Sequence, residues 1–140
     1  MFNSSSPASS LLTVTAVIEL GAGLALLWFP SVTATLLVGA RLEAPEALTV
    51  ARVAGVALPT LSVACWLARD DTQSRVARGL VAAMVLYNSG VALILAAAGF
   101  WSHLVGVALW PAVLLHIGMS LWCIVSIFKW EAVAARSLAG

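Results

Sequence analysis

Hydrophobic positions in this chain gather into four long runs with short polar connections between them. The runs cover approximately Leu11–Phe29, Ala47–Ala68, Val76–Gly99 and Leu104–Phe128. Each approaches the roughly 20 residues that a helix needs to cross about 30 Å of hydrocarbon. None shows the apolar–polar alternation of a barrel strand, and backbone in lipid must satisfy its own hydrogen bonds. The pattern predicts an all-α protein, an integral membrane four-helix bundle forming a single membrane domain over residues 1–140. The connection Pro30–Glu46 is longer than a tight turn. Ser31 is placed to cap a short interfacial helix over 31–40, with Thr33, Leu36, Leu37 and Ala40 at helical spacing. Pro45 suits the first turn of the second span, where a missing N–H costs nothing.

Composition agrees with the pattern. The chain is 62% hydrophobic and 9% charged, with a mean hydropathy of +1.05. A soluble domain of this size has too little interior to hide that much apolar surface. Residues Met1–Ser10 are rich in serine and carry no Lys or Arg, and Glu19 interrupts the first apolar run. A secretory leader needs a basic start and an unbroken apolar region, so the first run is read as a retained span.

Charge sets the expected orientation. Arg69, Arg75, Arg78, Lys129 and Arg136 fall on the face that also holds both termini; Arg41 and, at its margin, Arg52 fall on the other. The excess of basic residues in cytoplasmic connections then predicts an N-in/C-in bundle in a bacterial inner (plasma) membrane. Seven basic and six acidic residues leave no field to attract nucleic acid. The bilayer is the expected partner, together with a second copy or another membrane protein. Aromatic residues mark the span ends: Trp28 and Phe29, Trp66, Phe100 and Trp101, then Phe128 and Trp130, as rings with one wet edge favour the headgroup level. Cys65 and Cys123 form no C-x-x-C pair and read as small buried hydrophobes.

The candidate chemistry lies inside the runs. Glu19, Asn88 and His116 each sit near the middle of a span, and span two offers Thr60 and Ser62 beside Pro59. An ionisable side chain at bilayer depth costs several kcal/mol and is a functional candidate by default. Around Glu19, Thr15, Ala16, Ala22 and Gly23 share its helix face; around His116, Ala112 and Ser120 do. Arg52 lies roughly 8 Å along the axis from the centre of span two. It can therefore reach inward to pair with Glu19, which would keep the carboxyl ionised, or snorkel outward to the interface; the inward pairing is the favoured expectation. The expected binding set is Glu19, Arg52, Asn88 and His116, supported by Tyr87, Ser62 and Ser120. Pro59 removes one backbone bond in span two and predicts a kink.

These groups suit a proton, a cation or the polar head of an amphipathic ligand. His103 and His116, the two histidines, lie about 20 Å apart along one helix and cannot both ligate one haem. No cofactor and no metal are expected. Motifs for metalloproteases, nucleophile elbows and phosphate loops are absent from the sequence. The expected function is a non-enzymatic accessory or small-molecule-binding bundle. The alternatives are a proton-coupled small transporter using Glu19 and a four-helix membrane enzyme acting on a lipid-like substrate.

The residues Glu19-Leu20-Gly21-x-Gly23, Phe29-Pro30, Leu36-Leu37-x-Gly39, Arg52-x-x-Gly55, Cys65-Trp66-Leu67-Ala68-Arg69 and Tyr87-Asn88 resemble a loosely defined group of small, uncharacterised four-helix bacterial membrane proteins. That resemblance implies the fold and brings no activity with it. The chain is also similar to small multidrug-resistance transporters in its four short helices and in Glu19, and Ser89-Gly90-Val91 is faintly similar to their third helix. It departs from them at Asn88, where they carry an aromatic, and in its charge asymmetry. Membrane glutathione-transferase-like enzymes are similar in helix number and length, but Arg52 and its surroundings do not reproduce their second-helix pattern. Glu19 alone carries over.

Overall fold

A computed structural model of the protein describes the backbone of residues 7–138 and the side chains of residues 7–132. Arg136, counted in the charge argument, lies outside the described side chains. The regular structure of the described residues is all helix: α1 (Pro7–Trp28), α2 (Pro30–Val38), α3 (Pro45–Ala68), α4 (Arg75–Trp101) and α5 (Leu109–Leu138). Four helices are long and apolar enough to cross a membrane: Pro7–Trp28, Pro45–Ala68, Arg75–Trp101 and Leu109–Ala132. The protein therefore has the build of a multi-pass membrane protein.

Proline and serine set several of the starts. Pro30 and Pro45 occupy first-turn positions of α2 and α3, where no intrahelical N–H bond is lost. Ser74 caps α4 by accepting the Ala77 N–H at 3.1 Å. The short helix differs in detail from expectation. It begins at Pro30 with Phe29 at the capping position and no side-chain cap. Ser31, the expected cap, instead lies inside the helix and donates to the Leu42 carbonyl at 2.8 Å, tying the exit of the loop back to its beginning.

The fourth long helix begins at Leu109, not near Leu104, because the preceding backbone is engaged elsewhere. The N–H groups of Gly106 and Ala108 donate to the carbonyls of Leu37 and Leu36 at 3.1 and 2.8 Å. Any side chain at Gly106 would run into the Leu36 carbonyl. Gly39 ends α2 with φ of 72°, a conformation that glycine adopts without penalty. His103, at φ 52°, turns the chain out of α4 and sits exposed in this loop.

The long helices pack as two antiparallel pairs. In the first, Gly23 of α1 receives the Pro59 ring of α3, and Gly55 of α3 lies against the backbone of Leu27. Ser62 donates to the Ala16 carbonyl at 2.6 Å. In the second pair, Gly99 of α4 receives Leu109 and Trp110 of α5, and Ser89 and Ser120 hydrogen-bond at 2.9 Å. Small residues and short polar side chains are what let membrane-type helices approach closely. A buried core of Leu11, Leu12, Cys65, Val81, Met84, Met119, Cys123 and Trp130 joins the pairs in the half nearer the chain termini.

Most of the boundary aromatics are exposed, as interfacial rings would be, and Arg69 stacks on Trp66 at 3.4 Å. Trp130 departs from that pattern. It is 8% exposed and belongs to the core, with the Arg78 guanidinium 5.9 Å from its ring.

Candidate functional site

Glu19 lies on the buried face of α1 with Leu12, Thr15, Ala16 and Gly23, and is 3% exposed. Its Oε2 accepts a hydrogen bond from the Tyr87 hydroxyl at 3.0 Å. That bond crosses from one helix pair to the other. Among the described residues it is the carboxyl's one hydrogen bond.

Neighbouring residues on a helix point about 100° apart, so Tyr87 and Asn88 serve different partners. Tyr87 reaches α1; Asn88, 2% exposed, meets α5. Asn88 Nδ2 donates to the Met84 carbonyl at 2.8 Å, while Oδ1 contacts His116 Nδ1 at 2.8 Å. The first bond decides the second. A carbonyl can only accept, so the Asn88 amide nitrogen must face Met84 and the amide oxygen must face the histidine. His116 Nδ1 is therefore the donor. In the neutral ring Nε2 is left as the acceptor. The rings of Tyr87 and His116 meet edge to face, with centroids 5.9 Å apart, completing a continuous chain of contacts from Glu19 through Tyr87 and His116 to Asn88.

The other expected members sit outside this chain. Arg52 is exposed, and the expected pairing with Glu19 is not formed: among the described residues the ion pair is Arg69–Asp70, at 3.4 Å. The reason is axial distance. Ser62 of α3 meets Ala16 and Gly55 lies against Leu27, so Arg52 stands near the far end of α1, roughly 12 Å along the axis from the level of Glu19. Ser62 is buried but spends its hydroxyl on the α1 backbone. Ser120 pairs with Ser89, one step from Asn88. That pair floors an open groove of about 320 Å³ between α4 and α5, walled by Leu93, Val113, Ile117 and Leu121.

Two features escaped the sequence reading. Tyr87, the single tyrosine of the chain, is the direct partner of Glu19 and not a supporting residue. Ser89 appeared in the sequence only through the faint Ser89-Gly90-Val91 similarity and not as a site residue; its place beside Asn88 was the available signal. Compared with protein-family models, curated proteins and solved structures, the chain matches none. Its chemistry must therefore be read from its own residues.

Proposed function

We propose that the protein is a multi-pass protein of the bacterial inner membrane, with both termini in the cytoplasm. In this reading it binds a proton or a small hydrogen-bonding molecule at Glu19 and catalyses no bond chemistry. It works as a homo-oligomer or beside a membrane-protein partner. Four long apolar helices and the basic excess at the terminal face support the placement. The observation that carries the function is the Glu19 carboxyl itself: mid-helix, 3% exposed, held by one hydrogen bond and no counter-ion among the described residues. A hydrogen bond between membrane helices contributes about 1 kcal/mol, which Asn or Gln would supply without an ionisable group. A structural role alone therefore accounts poorly for glutamate at this position.

The test is infrared difference spectroscopy of the protein in lipid across a pH titration. A carboxyl C=O band that responds to pH, and that Glu19→Gln removes, supports the reading. No Glu19 band at any pH, with stability unchanged in Glu19→Gln, defeats it.

A proton-coupled transporter is the second reading. It is favoured by one observation: the Glu19–Tyr87 bond lies between two helix pairs whose tightest packing is internal to each pair. In proteoliposomes, this reading expects substrate-driven proton movement that Glu19→Gln abolishes.

A further inference from the structure

Threonines in the helices of this protein follow one rule with one exception. Thr13, Thr33, Thr35, Thr49 and Thr60 each donate to the carbonyl four residues earlier, at 2.8 to 3.0 Å. In an apolar helix this is the simplest way to satisfy a hydroxyl. Thr15 does otherwise. It is 1% exposed, and its Oγ1 is buried without a hydrogen-bond partner among the described residues.

Its position gives that exception meaning. Thr15 precedes Glu19 by four residues, so the two side chains stand one turn apart on the same buried face of α1. Tyr87 occupies Oε2 of the carboxyl. Oε1 has no hydrogen bond among the described residues. Cys65 of α3, fully buried, belongs to the same core as Leu12 and Ala16 of that α1 face. Buried polar groups are hydrogen-bonded as a rule, and an ordered water needs two to four polar partners.

We propose that Thr15 is part of the Glu19 binding site, its hydroxyl and the free carboxyl oxygen together holding one water-sized species, water or hydronium. This rests on Glu19 being the binding group. It extends the site from Tyr87 on one side of the carboxyl to Thr15 on the other, toward the end of the bundle that carries the termini. Thr15 is the partner through which the second carboxyl oxygen is hydrated.

The test compares Thr15→Val, which keeps the shape and removes the hydroxyl, with Thr15→Ser, which keeps the hydroxyl. The readouts are the Glu19 C=O band, its rate of hydrogen–deuterium exchange, and the unfolding midpoint in detergent. The inference expects Thr15→Val to move the band to higher wavenumber and slow its exchange several-fold, while Thr15→Ser stays close to wild type. It is overturned if Thr15→Val leaves band and exchange unchanged and raises the midpoint, as loss of a hydroxyl with no partner would. Should Thr15→Val not fold, Thr15→Ala carries the same comparison. The two levels separate cleanly. A wild-type protein with no Glu19 band defeats the site and this inference together; a pH-responsive band indifferent to Thr15 defeats this inference alone.

Discussion

Two glycine-to-alanine changes separate tight helix packing from open helix surface. A Cβ on Gly55 would lie 2.6 Å from the Leu27 nitrogen, 2.9 Å from its Cα and 3.1 Å from the Gly23 carbonyl oxygen. All three are backbone atoms, so no side chain can swing aside. Reaching an ordinary contact of 3.4 Å requires α1 and α3 to part by about 0.8 Å at this point (3.4 minus 2.6). A gap of that size forfeits about a quarter to a half of the dispersion energy where it opens, and overpacking of this kind costs about 1–3 kcal/mol. Replacing glycine in a helix returns about 1 kcal/mol, leaving a net loss of about 1 kcal/mol for Gly55→Ala. Gly21, on the same pair of helices, has nothing within 4 Å of an added Cβ. Gly21→Ala gains the same propensity with no clash. The two variants should differ by about 2 kcal/mol, close to thirtyfold in the folded-to-unfolded ratio. Reversible unfolding in mixed micelles, followed by circular dichroism, measures it. Equal stabilities, or a more stable Gly55→Ala, would refute the packing described for α1 and α3.

Three further outcomes are expected. Asn88→Ala should release the His116 tautomer, so that nitrogen NMR shifts from a single Nδ1–H form to a mixture, with a stability loss of about 1 kcal/mol; an unchanged tautomer would show that Asn88 does not set it. Tyr87→Phe should move the Glu19 C=O band to higher wavenumber, whereas Arg52→Gln should leave it in place; a shift with Arg52→Gln would restore the ion pair that the structure lacks. Gly106→Ala should speed amide exchange at Gly106 and Ala108, because a Cβ there collides with the Leu36 carbonyl. Protection equal to wild type would argue against the α2 contact.

Much of the helical layout could be read from sequence, since runs of apolar residues long enough to span hydrocarbon leave few alternatives to helix. The boundaries at Pro45 and Ser74 follow from local chemistry. The start of α5 does not, because it depends on Gly106 and Ala108 giving their N–H groups to a segment some 70 residues earlier. Counting residues placed Asn88 and His116 at matching depth, and in the structure the two side chains touch. It could not decide rotation, which brings Tyr87 to Glu19, or the register of α1 against α3, which leaves Arg52 out of reach. A position along a helix axis is nearly fixed by counting residues; a direction around the axis depends on which neighbour wins the contact. Thr15 was visible as a member of the Glu19 face, but its unbonded hydroxyl appears only when its rotamer is set beside those of the other threonines.

Because Tyr87 and Asn88 are consecutive on α4, their two contacts are geared together. The helix cannot turn about its axis to relieve one without moving the other. At a side-chain tip some 9 Å from the axis, a turn of about 20° sweeps roughly 3 Å, the length of a hydrogen bond. Such a turn that drew the Tyr87 hydroxyl off Glu19 would also slide the Asn88 amide across His116 and free the imidazole to exchange its tautomers. A turn of α4 that breaks one contact is thereby felt at the other, with α4 as the shaft between the carboxyl and the imidazole.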